Sequence, residues 1–374
     1  MLDLAGTAFE TSRSMRAAIC RAFGTPLSVE DVSIDPPGPG EIAVRLAACA
    51  ICHSDILYAD GAWGGQLPAI YGHEAAGVVE AVGPGVSSPA PGDHVVVTLI
   101  RSCGICPSCT GGAAVTCETR LPLDQRSPLR DHAGQTLVQG LRTAAFAETV
   151  VVHASQAVTI PKDLRFDSAA LLACGVITGV GAVVNTARLR PGDTAVVIGA
   201  GGVGLNTVQG AVLAGARVVV ALDIVPAKLE AARRFGATHV LPADDRAVVE
   251  EVRSITGGRG ADHVFVTVGA KPAFSQAFAM AARSGGIVLV GMPASGVTVE
   301  LDPGAIASDN QRILGSKMGG ALIHRDIPQL VGFYRQGRLK LDELISGRFP
   351  LDRINEAIAS AKSGEAVRNV ILFG

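Results

Sequence analysis

The sequence predicts an α/β protein: a doubly wound parallel sheet accompanied by an irregular, mostly antiparallel β domain. Three observations lead there. The glycine cluster Gly199-Ala-Gly201-Gly202-Val-Gly204 stands between an apolar strand and an Ala/Val/Leu-rich helix. From about Thr178 onward, continuous apolar runs alternate with helical segments, the pattern of a parallel sheet covered on both faces. Before that point the runs are short, of β type, and broken by Gly and Pro. The expected boundaries are 1–177 for a first domain, 178–320 for the parallel sheet, and 321–374 for a C-terminal return to the first domain.

Taken in order, residues 1–14 contain Asp3 and Glu10, lack a basic n-region, and read as a loose extension, not a signal peptide. Strands follow over 41–46, 77–82 and, after the turn Pro91-Gly92-Asp93, 94–98. The parallel sheet is expected from strands at 194–198, 217–222, 239–241, 262–268, 286–291 and 312–315. Helices are expected from the glycine cluster to about Gly215 and over 225–235, 246–255 and 272–283. Six strands complete a dinucleotide-type, Rossmann sheet. Beyond Gly319-Gly320 the pattern gives helices over 326–336 and 353–363 and a last apolar strand over 369–373.

With 48% hydrophobic residues the chain can bury a large core, and no apolar stretch reaches membrane-spanning length without a charge or a Gly-rich break. The 34 acidic and 32 basic residues give no electrostatic bias toward nucleic acid or an anionic membrane, so neither is an expected partner.

Cys103, Cys106, Cys109 and Cys117 fall at C-x2-C-x2-C-x7-C in a Gly/Ser/Pro/Thr-rich lobe over about 99–120. Four thiolates from one short lobe complete a tetrahedral zinc shell and leave no position for substrate, so this metal is structural. Disulfides of a secreted protein are the first alternative, but a bridge between residues three apart is strained. A nucleic-acid-binding zinc module is the second, and no cationic run supports it. Zinc takes reduced thiolates, which points to the cytoplasm.

The glycine cluster fits G-x-G-x-x-G, where the backbone approaches a pyrophosphate held at a helix N-terminus. Asp223 lies 19 residues after Gly204, at the end of the second strand. A carboxylate there accepts hydrogen bonds from both adenosine ribose hydroxyls and repels a 2′-phosphate, favouring NAD over NADP. Lys228, one helical turn on, can reach the ribose or a phosphate; a solvated helix face is the alternative.

Three further residues stand in distinctive settings: Cys52 in Cys52-His53-Ser54-Asp55, His73 in Gly72-His73-Glu74, and Cys174 in Cys174-Gly-Val-Ile-Thr178-Gly. Each alone would pass for a core residue. Together with the cysteine lobe and the glycine motif, in this order from about Met15 to Gly374, they resemble the zinc-dependent medium-chain alcohol dehydrogenases.

That resemblance implies a GroES-like catalytic domain and two zinc ions per chain, the catalytic one held by Cys52, His73 and Cys174 with the fourth position open. It implies hydride transfer from a metal-activated alcohol to NAD. Ser54 matches the hydroxyl residue that carries the alcohol proton away, and Asp55 and Glu74 match carboxylates behind the metal ligands, with simple surface charge as their alternative. His53 and Arg368 match contacts to the cofactor pyrophosphate, and Thr178 and Val203 match positions beside the nicotinamide. Leu57 departs from the family, in which many members carry a His as the outer member of the proton relay.

The implied substrate surface includes Leu57, Leu99, Leu141, Met292 and Lys317, which suits small alcohols or aldehydes with a hydrocarbon tail. The long stretch from Cys117 to Cys174 matches the branch that forms homodimers. A relative acting on the glutathione adduct of formaldehyde, S-hydroxymethylglutathione, shares that loop, and Arg120 lies one position from its glutathione-contacting Arg; this is the alternative enzyme reading. A nucleotide-binding structural protein on the same fold is the non-enzyme reading, and the intact set Cys52, His73 and Cys174 argues against it.

Overall fold

A computed structural model describes residues 11–364 and 366–374. Residues 1–10, most of the stretch read as an extension, lie outside the described residues. The chain divides into two compact units. The first runs to Ala173 and adds Ile345–Ala361 and Arg368–Gly374; the second is Cys174–Leu344 with Lys362–Val367.

The first unit is built on two sheets. One has the order Leu129–Asp131, Ser28–Ile34, Arg13–Cys20, Ala69–Ile70, Val138–Gln139. The other runs Ala157–Thr159, His94–Val97, Glu74–Val82, Glu41–Ala50, Arg368–Leu372, Ile345–Pro350, and Thr149–His153 also pairs with Glu41–Ala50. Pairing is antiparallel apart from Ala69–Ile70 with Val138–Gln139 and Ile345–Pro350 with Arg368–Leu372. The strand expected over 41–46 extends to Ala50, because Ala48, Cys49 and Ala50 pair on one side with Glu74, Ala75 and Ala76 and on the other with Val370, Ile371 and Leu372. That extension carries the chain directly to Cys52. Ile19, Ile34, Ile42, Leu46, Ile70 and Phe146 form the core, and each fully buried aliphatic side chain of this kind stabilises the fold by about 1.5–3 kcal/mol.

In the second unit six parallel strands lie in the order His239–Pro242, Val218–Asp223, Thr194–Ile198, Ala261–Val266, Ala281–Leu289, Arg312–Gly315. This is the 3-2-1-4-5-6 order of a dinucleotide-binding sheet. Every residue of Thr194–Ile198 and Val218–Asp223 is buried, which explains their unbroken apolar runs. The helix Lys271–Met280 closes one face with Ala273, Phe274 and Ala277.

Two expectations differ. Residues 281–283 were expected to end a helix, yet Ala281 is extended and pairs with Ala261, so the strand starts there. The return to the first domain, expected at 321, comes at Ile345. The helix Ile323–Arg335 stays with the second unit, burying Ile323, Ile327, Leu330 and Val331. Asn185 Nδ2 donates to Asp326 Oδ2 at 3.1 Å, and the Lys340 N–H donates to Gln209 Oε1 at 2.7 Å. No single helix among the described residues is long and apolar enough to cross a membrane.

Candidate functional site

Cys52 is the N-cap of the helix His53–Ala59, in extended conformation, and Asp55 is the third residue of its first turn. The Asp55 carboxylate reaches back, so Oδ2 accepts from the Cys52 N–H at 2.9 Å. Its other oxygen accepts from the Gly72 N–H at 2.9 Å and faces His73 Nδ1 at 3.0 Å. Gly72 has φ +92, and a Cβ there would meet the Phe146 nitrogen at 2.6 Å, so only glycine admits this approach. A carboxylate can only accept, so Nδ1 carries the ring proton and Nε2 is left as the lone-pair nitrogen. His73 Nε2 is buried with no hydrogen-bond partner among the described residues.

Cys174 follows directly on Ala173 and starts the helix Gly175–Gly181. One ligand atom each from Cys52, His73, Glu74 and Cys174 lies within 4.8 Å of the others. Two thiols and a buried imidazole nitrogen with its lone pair unused suit a zinc with a position to spare. Burial pulls the His73 pKa down, but the charges of Asp55 and Cys52 outweigh it and raise it well above the usual histidine value, so the metal-free ring also holds a proton on Nε2, and a zinc binding there must displace that proton to reach the lone pair. Burial lifts Glu74 to about 8 against the opposing pull of Arg368, whose Nη2 stands 3.0 Å from Glu74 Oε1. Arg368, matched by resemblance to a pyrophosphate contact, is buried and also donates to the Ile51 carbonyl at 3.1 Å, so its guanidinium is engaged beside Glu74.

His53 is exposed and Ser54 half-buried on the first turn. Two residues before His73, Tyr71 stacks on Tyr58 at 5.7 Å between ring centroids, and Trp63 meets Tyr58 edge-on at 5.1 Å. Leu57, Leu99 and Leu141 are half-buried, whereas Met292, Lys317 and Arg120 are exposed.

The ligand atoms of Cys103, Cys106, Cys109 and Cys117 likewise gather within 4.8 Å. The Sγ atoms of Cys103 and Cys109 are 4.0 Å apart and those of Cys106 and Cys117 3.9 Å. A tetrahedron with Zn–S near 2.3 Å requires about 3.8 Å between sulfurs, so the lobe fits zinc, and none of the eight cysteines is in a disulfide. The Thr119 hydroxyl donates to Cys103 Sγ at 3.0 Å, as do the Ile105 and Cys106 N–H groups at 3.4 and 3.3 Å. Led by the Thr119 bond, these lower the Cys103 pKa to about 6. Arg101 anchors the lobe's entry, donating to Gln156 Oε1, Asp124 Oδ1 and the Arg142 carbonyl at 2.8, 3.1 and 2.8 Å.

In the second unit Gly201 is the N-cap of the helix Gly202–Leu213, with Val203 half-buried in its first turn. A Cβ on Gly204 would lie 1.8 Å from the Gly199 carbonyl oxygen, so the loop closes only with glycine. The Asp223 carboxylate is buried, Oδ2 accepting from the Ala200 N–H at 2.7 Å and Oδ1 from the Val225 N–H at 2.9 Å. Lys228 is half-buried in the first turn of the helix Pro226–Arg234.

Thr178 is buried, its Oγ1 3.9 Å from Cys174 Sγ. Sequence reasoning missed Met318, whose Sδ is 3.6 Å from Cys174 Sγ and 3.8 Å from Thr178 Oγ1. The only local signal was the following Gly319-Gly320 pair; Met318 itself sits at φ +49.

Two family models match: the alcohol dehydrogenase GroES-like domain over residues 38–162 and the zinc-binding dehydrogenase over residues 202–336. The NDMA-dependent alcohol dehydrogenase of Amycolatopsis methanolica is 35% identical over 365 residues, spanning 96% of this chain and 98% of its own. Among solved structures, an alcohol dehydrogenase zinc-binding domain protein from Burkholderia ambifaria has a TM-score of 0.92 at 36% identity, covering 97% of this chain and 100% of its own. Benzyl alcohol dehydrogenase from Acinetobacter calcoaceticus has a TM-score of 0.90 at 29% identity, with the same coverage of 97% and 100%.

Proposed function

The chain belongs to the zinc-dependent medium-chain alcohol dehydrogenase family, and from that premise we propose that it oxidises small alcohols, or reduces the corresponding carbonyls, with NAD. One zinc would be held by Cys52, His73 and Cys174, and a second by Cys103, Cys106, Cys109 and Cys117. The observation that carries the reading is the His73 ring, with Nδ1 turned to Asp55 and Nε2 unpartnered among the described residues beside two cysteines.

Zinc bound there supplies Lewis acidity to an alcohol oxygen, and the nicotinamide ring accepts the hydride. Asp55 holds the imidazole tautomer and orients both His73 and the Cys52 backbone. Ser54 Oγ would relay the alcohol proton, accepting it as its own hydroxyl proton is handed on. Leu57 offers no titrating group for the next step, so the proton passes to water. Glu74, paired with Arg368, sets the charge behind the ligands. The Gly199–Gly204 turn receives the pyrophosphate at its helix N-terminus, and Asp223, both oxygens already anchored by backbone N–H groups, offers its remaining lone pairs to the ribose hydroxyls. His53, Arg368, Lys228, Thr178 and Val203 complete the contacts to the dinucleotide, Arg368 through guanidinium N–H groups not directed at Glu74 or the Ile51 carbonyl.

The half-buried Leu57, Leu99 and Leu141 favour alcohols with an apolar or aromatic tail, in keeping with the name of the benzyl alcohol dehydrogenase it resembles. A cytoplasmic homodimer is part of the same reading. The test is initial rates over primary, secondary and aromatic alcohols, and formaldehyde with and without glutathione. Each is run with NAD, NADP and, because one relative is named for it, NDMA. Activity that is highest with NAD and an aromatic alcohol, and is lost on chelation, is the expected result; full turnover after metal removal overturns it.

A further inference from the structure

Away from the glycine loop, the second unit carries a cavity of about 400 Å³ lined by Arg253, Gly258, Arg259, Ala281, Arg283 and Asp309. It opens where the strands Ala261–Val266 and Ala281–Leu289 begin, whereas the glycine loop and Asp223 follow the ends of their strands, at the opposite edge of the same parallel sheet. The two places are therefore distinct.

The charge around this cavity is one-sided. Three arginines, all exposed, line it together with one acidic residue, Asp309, whose carboxylate lies 3.4 Å from Arg283 Nε. Among the described residues no carboxylate lies within ion-pair distance of Arg253 or Arg259. The nearby Asp262, whose Oδ2 accepts from both the N–H and the hydroxyl of Thr194 at 2.8 Å, is a second negative charge that acts on Arg259 without pairing with it directly. Arg253 is held in orientation by two bonds to one acceptor, Nε and Nη2 donating to the Ala279 carbonyl at 3.1 and 2.9 Å. Gly258, at φ +81, has nothing within 4 Å of where a Cβ would sit, so the cavity is open on that side. Service to the C-terminus of the helix Val248–Ile255 does not account for the cluster. The Arg253 and Ser254 carbonyls there already accept from the Gly258 and Gly257 N–H groups at 2.7 and 3.1 Å.

We propose that this cavity is a second ligand site, separate from the dinucleotide site, for a small molecule bearing two phosphate groups. Guanidinium forks match phosphate oxygens two at a time. Three of them, from three different segments, span more than one phosphate, and the volume leaves room for a sugar-sized linker between the two.

The experiment uses the full chain, zinc-loaded and saturated with NAD so that the glycine loop is occupied. Fructose 1,6-bisphosphate is titrated by calorimetry at constant ionic strength, with sulfate as the control. Binding of one equivalent is expected. It should weaken about tenfold in Arg259→Gln, the loss of one charge-assisted contact, and further in the Arg253→Gln/Arg283→Gln double variant. Arg259 is exposed, so its substitution leaves the fold intact, which circular dichroism checks. Absence of binding, equal binding in wild type and Arg259→Gln, sulfate binding of the same strength, or tighter binding of a short oligonucleotide than of the bisphosphate would each overturn the proposal.

Discussion

Asp55→Asn isolates the role of one buried carboxylate. Asp55 accepts three bonds through two oxygens, from the Gly72 N–H and His73 Nδ1 on one and from the Cys52 N–H on the other. An amide keeps only one of those oxygens. If it faces Gly72 and His73, its NH2 meets the Cys52 N–H, donor against donor, leaving a buried group unsatisfied at about 1–3 kcal/mol. If it flips, the NH2 faces Gly72 and His73 instead. The imidazole must then accept at Nδ1 and carry its proton on Nε2, the nitrogen a metal needs. Either way the imidazole loses a negative partner, and substitutions of this kind lower metal affinity roughly 10–100-fold. At 1.4 kcal/mol per decade that is about 1.4–2.8 kcal/mol. The assay is zinc retained per chain across a series of chelator concentrations, with thermal unfolding alongside. The variant should lose one zinc at a chelator concentration roughly 10–100-fold lower and keep the other unchanged. Identical retention curves for wild type and variant would refute the argument.

Four further outcomes are expected. Elemental analysis of fresh protein should give two zinc ions per chain, one removed readily by chelators and one slowly; a single zinc contradicts the paired sites. Cys174→Ala should abolish activity with little change in melting temperature, while Cys103→Ala should chiefly lower the melting temperature, and a reversal of the two phenotypes would exchange their roles. Asp223→Gly should shift the ratio of kcat/KM for NAD and NADP by more than about tenfold toward NADP, from bonds worth about 1–3 kcal/mol each; an unchanged ratio removes Asp223 from cofactor choice. Burial acts to raise the Asp167 pKa, but hydrogen bonds from Arg165 and Arg348 outweigh it and hold it at about 2. Its contribution to stability is thus present above the unfolded carboxyl pKa of about 3.9 and lost as pH falls toward 2; Arg348→Ala should flatten that acid dependence in unfolding experiments, and an identical slope would contradict it.

What could be read from sequence was what lies close in sequence or has a backbone requirement. Asp223 follows the glycine turn at a fixed interval, and the four lobe cysteines carry their own geometry in their spacing. Cys52, His73 and Cys174 are dispersed and were legible only through the family resemblance; that Gly72 beside His73 has no room for a side chain shows only in the folded chain. Long-range pairing was invisible. The extension of the strand to Ala50 depends on Arg368–Leu372, over 300 residues away by number, and the placement of 321–344 depends on Asn185 and Gln209. Met318 reaches Cys174 across 144 residues, a contact that no local pattern encodes. Arg368 could be singled out by resemblance, but its pairing with Glu74 emerges only when the two strands are side by side.

The Tyr58, Tyr71 and Trp63 group gives the protein an optical property. Trp63 is the chain's one tryptophan, so red-edge excitation of the indole samples a single environment in place of an average over many. That indole rests edge-on against Tyr58, which stacks on Tyr71, and Tyr71 is separated from His73 only by the conformationally constrained Gly72. Intrinsic fluorescence at this position is consequently a label-free readout of the packing of the Tyr58, Tyr71 and Trp63 group, usable on unmodified protein.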